Sequence, residues 1–265
     1  MNYLSASQVS CLQRCDREYL LKYVLKLPDE KTEPLYFGSA FDYLVDNENE
    51  IDSFDLQGLR ETEYPYRAVL KKMVRSAKDA TSHLPTVAIN QFKISTSLVK
   101  GFIDAVRVDG FTGDWFMSER KTASRIEQDK RLMLHNDIQV ATYVANAEVV
   151  AKELCLDMKR FRGLTYETTQ KPAERVKKSE TLEEYAERAT VKTEVWTVAE
   201  SMKAHCTKVH QVTFSAMARK RDDIENTFAL CGDMHVIPGN TSQCFRFGSK
   251  CQFFNVCHNN QEGEQ

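Results

Sequence analysis

Asp104, Glu119 and Lys121 are the residues of this 265-residue chain whose types and spacing could most directly do chemistry. They lie in GFIDAVRVDGFTGDWFMSERKT, residues 101–122, where apolar residues alternate from Phe102 to Val108. A Gly/Asp-rich stretch covers 109–114, and a second extended run starts at Trp115. This pattern predicts a β-hairpin. Successive strand side chains point to opposite faces, so Glu119 and Lys121 share one face and Arg120 takes the other. Pairing across the turn can bring Asp104 beside Glu119, so two acids and a lysine converge on one patch. Two carboxylates on rigid strands are hard oxygen ligands suited to Mg or Mn. A cation held there lowers the pKa of a bound water and offsets charge building on an attacked phosphodiester. A lysine two residues away adds a fixed positive charge near the phosphate or orients the attacking water. The bare pattern D…ExK also recurs by chance on solvated hairpins, so the surrounding elements must carry the rest.

Gly101 to Asp104 followed by Glu119 to Thr122 resembles the GxxD and (D/E)xK motifs of the PD-(D/E)xK nuclease superfamily, in its RecB-like branch. Downstream, Gln139 and Tyr143 in DIQVATY match that branch's QxxxY motif, and residues four apart share a helix face. The resemblance implies that Gln139 and Tyr143 lie near the active site and contact nucleic acid; the bland alternative is that both cap the edge of the core. In the branch a histidine that contributes to the metal site follows a glycine in a G-x-x-x-H arrangement. Here Gly38 is followed by Asp42. Aspartate binds Mg or Mn through oxygen, so the substitution is compatible with a metal role while leaving the geometry and preferred metal open.

The chain must present these groups on a scaffold, and its start is well marked. Ser5 and Gln8 form a capping-box pattern, with Leu4 and Val9 placed to staple it. Val9, Leu12, Tyr19, Leu20 and Tyr23 recur at helical spacing, which predicts one helix ending before Pro28. Cys11 and Cys15 sit four apart on it. At the other end, Cys244, Cys251 and Cys257 are separated by six and five residues, with Phe245, Phe247, Phe253 and Phe254 between them. C-x-x-C pairs typical of zinc sites are absent from this stretch. Three C-terminal cysteines with a distant N-terminal fourth resemble the 4Fe-4S arrangement of AddB-type and CRISPR-associated exonucleases. The stretch from Cys15 to Tyr19 is similar to their C-x-x-x-Y, so the resemblance implies Cys15, Cys244, Cys251 and Cys257 as cluster ligands. Zinc, with His258 and Cys11 as spare ligands, and free thiols in a packed tail are the alternatives. The stretch KPAERVKKSETLEEY, residues 171–185, resembles segments of phage-type RecB-like proteins.

Further elements follow from the periodicity. Residues 64–84 read as a helix with Val69, Leu70 and Met73 inward and a stripe of Arg67, Lys71, Lys72, Arg75 and Lys78, a candidate phosphate-contacting surface or a solvated face. Residues 91–99 and 161–168 read as strands. Residues 136–154 read as a helix carrying Ile138, Ala141, Ala145 and Val149 inward. Lys171, Arg175, Lys177 and Lys178 form a second basic candidate, and the chain from there to about Ala229 is expected to be mostly helical.

Composition sets limits. At 42% hydrophobic the chain can bury a sizeable core, and no linker, repeat or low-complexity tract suggests a cut. A net charge of -2 and a pI near 6.3 confine any nucleic-acid affinity to local basic surface. The N-terminus lacks the pattern of a signal peptide, and no run of about 18 apolar residues could span a membrane. These features predict a cytoplasmic location, where eight cysteines are thiols or metal ligands rather than disulfides.

The expectation is a single α/β domain over 1–265 of restriction-endonuclease type, a mixed central sheet flanked by helices with the chain ends tied by a cluster. The function implied is Mg- or Mn-dependent cleavage of DNA, as an exonuclease in recombination or end processing. No G-x-x-x-x-G-K-[ST] stretch is present, so any unwinding would come from a helicase or recombination partner. The rival reading is a non-catalytic Fe-S nucleic-acid-binding or assembly subunit with a vestigial nuclease site.

Overall fold

The computed structural model describes residues 3–28, 32–56, 59, 64–245 and 250–258. Helix α1 (Ala6–Arg14) begins as its sequence predicts, with Ser5 Oγ accepting from Gln8 N at 3.1 Å and Ser5 N donating to Gln8 Oε1 at 2.8 Å. It does not run on to Tyr23. Cys15 is extended (φ -161°, ψ 121°), and α2 (Asp16–Tyr19) and a π-helical turn (Leu20–Val24) follow. A helix break frees backbone groups, which must find other partners. Here Arg17 N donates to Pro238 O at 3.2 Å, and Asn240 Nδ2 donates to Arg14 O at 2.9 Å.

The chain continues through α3 (Glu33–Asp46), α4 (Tyr66–Thr81), β1 (Thr86–Ser95), β2 (Lys100–Val108) and β3 (Trp115–Ala123). After β3 come α5 (Gln128–Met133), α6 (Ile138–Ala145), α7 (Ala147–Glu153), β4 (Phe161–Gln170), α8 (Leu182–Arg188), β5 (Lys192–Ala199), α9 (Lys203–Cys231) and α10 (Phe254–His258). The single helix expected over 136–154 is divided at Asn146, and this rotates its inward face to Val140, Ala141, Val144, Ala147 and Val150. Ile138, Ala145 and Val149 are only half-buried. Strand β5, in the region expected to be helical, is polar on its exposed side and buries Trp196 and Val198.

Five strands form one mixed sheet in the order β1-β2-β3-β4-β5. β2 and β3 are antiparallel, β3 and β4 parallel, β4 and β5 antiparallel. The parallel pair needs a crossover, which α5 to α7 supply. β4 is buried at every position from Gly163 to Thr169, as a strand covered on both faces must be. Gly163 is required where β4 meets β5: its φ is 121°, and a Cβ there would lie 2.0 Å from Val198 O.

Contacts gather the chain into two compact units, one comprising Met1–Glu30, Ser95–Gly101 and Lys208–Gln265, the other Lys31–Ile94 and Phe102–Thr207. In the first, Leu4 bridges Val99 in parallel fashion, with Leu4 N donating to Leu98 O at 2.9 Å. In the second, Phe37, Phe41 and Leu44 of α3 share a core with Val69, Leu70 and Met73 of α4 and with Tyr185. Among the described residues no helix is long and apolar enough to cross a membrane.

Candidate active site

The hairpin forms where the sequence places it, and its register decides the chemistry. Ala105 pairs with Ser118 and Val106 with Met117, so one further step sets Asp104 across from Glu119. Asp104 Oδ2 accepts from Arg120 N at 2.7 Å, which fixes its carboxylate against β3. Lys121 Nζ pairs with Glu119 Oε1. Glu119 is 0% exposed, and its Oε2 has no hydrogen-bond partner among the described residues.

Asp42 comes to the same place from α3. Its Oδ2 accepts from Gln91 Nε2 at 2.8 Å, and that amide lies 3.5 Å from Asp104 Oδ1. Its Oδ1 is buried without a hydrogen bond among the described residues, with Arg120 Nη1 at 3.7 Å. Gln91 has no counterpart in the sequence reading, because nothing in the alternation of β1 marks it.

Arg120, on the far face of β3 from Glu119, anchors a buried charge network. Its Nη2 lies 2.9 Å from Asp46 Oδ1, and its Nε 3.7 Å from Glu167 Oε2 on the neighbouring strand. Arg107 Nη2 reaches Glu167 Oε1 at 3.2 Å, and Arg107 Nε donates to Ser118 Oγ at 3.0 Å. Buried charges persist only when paired in this way.

Burial sets the protonation of the patch. It pushes the Glu119 carboxyl up to about 8 against the pull of Lys121, with Asp104 adding to the rise. It pushes Asp42 up to about 6, helped by Asp104 and opposed by Arg120. Asp104 is raised by burial despite the Arg120 N–H that favours its charged form. Burial works against the Lys121 ammonium, but Glu119 and Asp104 outweigh it and leave that pKa above the ordinary lysine value. Three carboxylates that resist ionisation beside one cation that keeps its proton form a site short of positive charge.

That shortage is what a divalent cation would meet. Among the described residues no group of three or more His, Cys, Asp or Glu side chains is gathered to hold a metal ion as it stands. Glu119 Oε2 and Asp42 Oδ1, both buried and without a hydrogen bond among the described residues, the latter with only the Arg120 guanidinium at 3.7 Å, nevertheless offer hard oxygen donors of the type Mg and Mn take.

Residues 3–258 match the family described as the PD-(D/E)XK nuclease superfamily. The chain belongs to that superfamily. Its members typically use Mg or Mn, and the superfamily implies a DNA substrate. A search of curated proteins returns no match. Seven chains of solved structures are similar. Among them is the crystal structure of a "Putative exonuclease" from Eubacterium rectale, 13% identical, with a TM-score of 0.54, covering 100% of this chain and 90% of that one. At that identity the likeness shows the fold alone.

Within this PD-(D/E)XK chain the Gln139/Tyr143 pair is turned inward. Gln139 Nε2 donates to Tyr143 Oη at 2.9 Å, and the Tyr143 hydroxyl donates to Phe102 O on β2, two residues before Asp104. Tyr143 is 3% exposed; Gln139 is half-buried. Asp137 caps α6 by accepting from Gln139 N at 3.0 Å and Val140 N at 3.2 Å, so the pair stands on a fixed first turn.

The first basic stripe is largely engaged by the protein. Arg67 donates to Ile51 O and Phe54 O, and Lys72 donates to Glu187 O and Ala189 O. Lys71 pairs with Asp52 and Lys78 with Glu48, both at 2.5 Å. In the second candidate Lys171 Nζ lies 4.4 Å from the centre of the Phe37 ring, while Arg175, Lys177 and Lys178 are exposed.

The cysteines meet in the other unit. Cys15, Cys244, Cys251, Cys257 and His258 line one cavity of about 140 Å³, with Arg17, Glu18 and Asn240 at its wall. Asn240 N donates to Cys15 Sγ at 3.4 Å, and Cys251 N donates to Cys244 O at 2.7 Å. Cys11 is buried and does not line it. Burial raises the Cys251 thiol and pushes Cys257 up to about 11. Phe247 lies outside the described residues.

Proposed function

We propose that this chain is a RecB-like DNA exonuclease that cuts with Mg or Mn held by Asp104 and Glu119, with Asp42 as a third oxygen donor. The observation that carries the reading is the buried Glu119 Oε2, without a hydrogen bond among the described residues, on the strand position across from Asp104 and beside Lys121, whose ammonium Glu119 and Asp104 favour. A cation bound there supplies an activated water and offsets phosphoryl charge.

The protein's own groups do the rest. Arg120 N holds Asp104, and the Tyr143 hydroxyl holds the β2 backbone that carries it. Lys121 brings a fixed positive charge to the phosphoryl oxygens as negative charge grows on them, which helps only if it is in place beforehand. Gln139, half-buried beside Tyr143, has an amide oxygen that accepts no hydrogen bond among the described residues and that can meet a nucleotide edge. Exposed Arg175, Lys177 and Lys178, with exposed Arg75 of the first stripe, are candidate basic groups to meet DNA phosphates.

The reading extends to the second unit. Four thiols around one cavity suit a 4Fe-4S cluster, and Cys15 rather than Cys11 is among its lining. Binding must displace the protons that burial holds on Cys251 and Cys257. Phosphodiester hydrolysis needs no electron transfer, so a structural role suffices.

The test is anaerobically purified protein with end-labelled single- and double-stranded DNA in Mg, Mn or EDTA. Stepwise loss of nucleotides from one end in Mg or Mn, and none in EDTA, is expected. Binding without cleavage in either metal would leave the non-catalytic subunit as the surviving reading. Internal cuts would retain the nuclease and refute the exonuclease.

A further inference from the structure

Strand β1 carries an irregularity at the point where it meets the carboxylates. Gln91 has a φ of 51°, left-handed, in the interior of a ten-residue strand. Any residue but glycine is strained there. The residue marks a change in β1: positions before it are mostly exposed, while Phe92 and Ile94 after it are buried. Such a strain persists only where the surroundings over-determine it, and it is a reason to look for a function rather than proof of one.

The side chain gives the reason to look. Its amide nitrogen is 2.8 Å from Asp42 Oδ2 and 3.5 Å from Asp104 Oδ1, so one donor serves carboxylates from two elements, α3 and β2. The division of oxygens is specific. On Asp42, Gln91 occupies Oδ2 and leaves Oδ1 buried and without a hydrogen bond among the described residues, with Arg120 Nη1 at 3.7 Å. On Asp104, Arg120 N occupies Oδ2, and Oδ1 is the oxygen facing Gln91. Carboxylates that bind metals are themselves held by hydrogen bonds to the oxygen the metal does not take, and those donors tune affinity. An amide can do this without adding charge, since its NH₂ donates and stays neutral.

We propose that Gln91 is a positioning residue for the divalent cation: it clamps Oδ2 of Asp42, keeps Asp42 and Asp104 at a fixed separation, and leaves Oδ1, held by no hydrogen bond among the described residues and only loosely paired with Arg120, to ligate. The left-handed backbone is what delivers the amide to that point. The inference rests on the reading of Asp42 and Asp104 as metal ligands.

The experiment compares wild type, Gln91→Gly, Gln91→Ala and Asp104→Ala in the full chain by Mn calorimetry without DNA, by melting in EDTA, and by kcat and KM on end-labelled DNA. Gln91→Gly and Gln91→Ala both remove the amide, but only glycine relieves the backbone. Both should bind Mn about tenfold or more weaker than wild type. Both should lose kcat with KM for DNA unmoved, and the glycine variant should melt higher than the alanine one. A structural role alone would shift melting and leave Mn affinity at the wild-type value in both variants, which would overturn the proposal. Equal melting of the two variants would overturn the strained-backbone part of it. If wild type binds no Mn, or Asp104→Ala binds it as well as wild type, the metal-site reading itself falls, an outcome distinct from failure of Gln91 alone.

Discussion

The two candidate sites of this chain are built in opposite ways. The carboxylate patch stands on regular elements, β2, β3 and α3, and its members are tied to one another by Arg120, Gln91 and Lys121 before any ligand arrives. The cysteine cavity is assembled from the extended residue that interrupts α1 and from a tail whose described part holds only two short helical segments. Among the described residues, Cys15 Sγ meets Asn240 N, and Cys244 Sγ meets Asn240 O at 3.8 Å and His258 Nε2 at 3.7 Å. A patch that folding completes should survive loss of its ligand as a fold and fail as a catalyst. A cavity that its ligand completes should do the reverse.

The largest expected effect tests that contrast at the cysteines. A cluster joining Cys15 to Cys244 closes a loop of more than two hundred residues. On the cross-link model this stabilises by about 5 kcal/mol, less any native strain. Cys15→Ser, Cys244→Ser, Cys251→Ser or Cys257→Ser should each lose iron, measured by absorption and metal analysis, and should open the first unit to protease. Cys11→Ser should keep its iron. Zinc in the wild-type protein would refute the cluster, and loss of iron in Cys11→Ser with retention in Cys15→Ser would exchange the two ligands.

The next effect is a pH dependence that belongs to the carboxylate patch alone. The Glu119 carboxyl lies at about 8 in the fold and at 4.5 when unperturbed, so between those values the folded protein holds a proton that the unfolded chain has lost. Stability must then fall as pH rises through that window, by on the order of a few kcal/mol for a fully buried acid. Asp42, raised from 3.8 to about 6, adds the same sign over the lower part. Melting in EDTA should therefore drop between pH 5 and 8.5, and saturating Mn should reduce the drop. Glu119→Gln should flatten it, and an unchanged profile in that variant would show that Glu119 is not the group responsible.

How much of this was legible beforehand depends on how far the deciding contact lies along the chain. The hairpin was legible because alternation from Phe102 to Val108 and a Gly/Asp turn are local signals. Glu119 and Lys121 follow from it by the two-residue period. The same period put Arg120 on the opposite face, but could not show that Asp46 and Glu167 would meet it there. The break at Cys15 was invisible because apolar spacing continues from Leu12 to Tyr19 across it, and the groups that satisfy it lie at 238–240. Gln91 was invisible for a different reason. Its position depends on one left-handed residue inside a strand, which no propensity marks.

At the carboxylate patch, catalysis should be lost without the fold. Lys121→Ala should lower kcat roughly a hundredfold, as removal of a preorganised electrostatic group does, which is about 2.7 kcal/mol of barrier. It should retain Mn binding, because the carboxylates remain. Asp104→Ala should lose both. Melting of Lys121→Ala in EDTA should stay near that of wild type, while Asp104→Ala, which strands the Arg120 N–H, should melt somewhat lower yet still cooperatively. Full activity in Lys121→Ala would remove the lysine from the mechanism.

The smallest effect separates holding the patch from touching the substrate. Tyr143 is buried, and its hydroxyl donates to Phe102 O, so it acts on DNA only through the β2 backbone that carries Asp104. Tyr143→Phe deletes that hydroxyl and leaves the part-buried Phe102 carbonyl and the Gln139 amide each short of a partner, a loss of about 1 kcal/mol in stability. The ring still fills its site, so the helix should stay where it is. The consequence for catalysis is a slackened β2, hence a severalfold fall in kcat with KM for DNA unchanged. Gln139→Ala should behave differently, because its side chain is half-buried and its amide oxygen accepts no hydrogen bond among the described residues. There KM should rise severalfold while melting moves little. If instead Tyr143→Phe raised KM and Gln139→Ala lowered only kcat, the two residues would exchange roles, and the tyrosine would have to reach the substrate by a rearrangement of α6 that its buried hydrogen bond opposes.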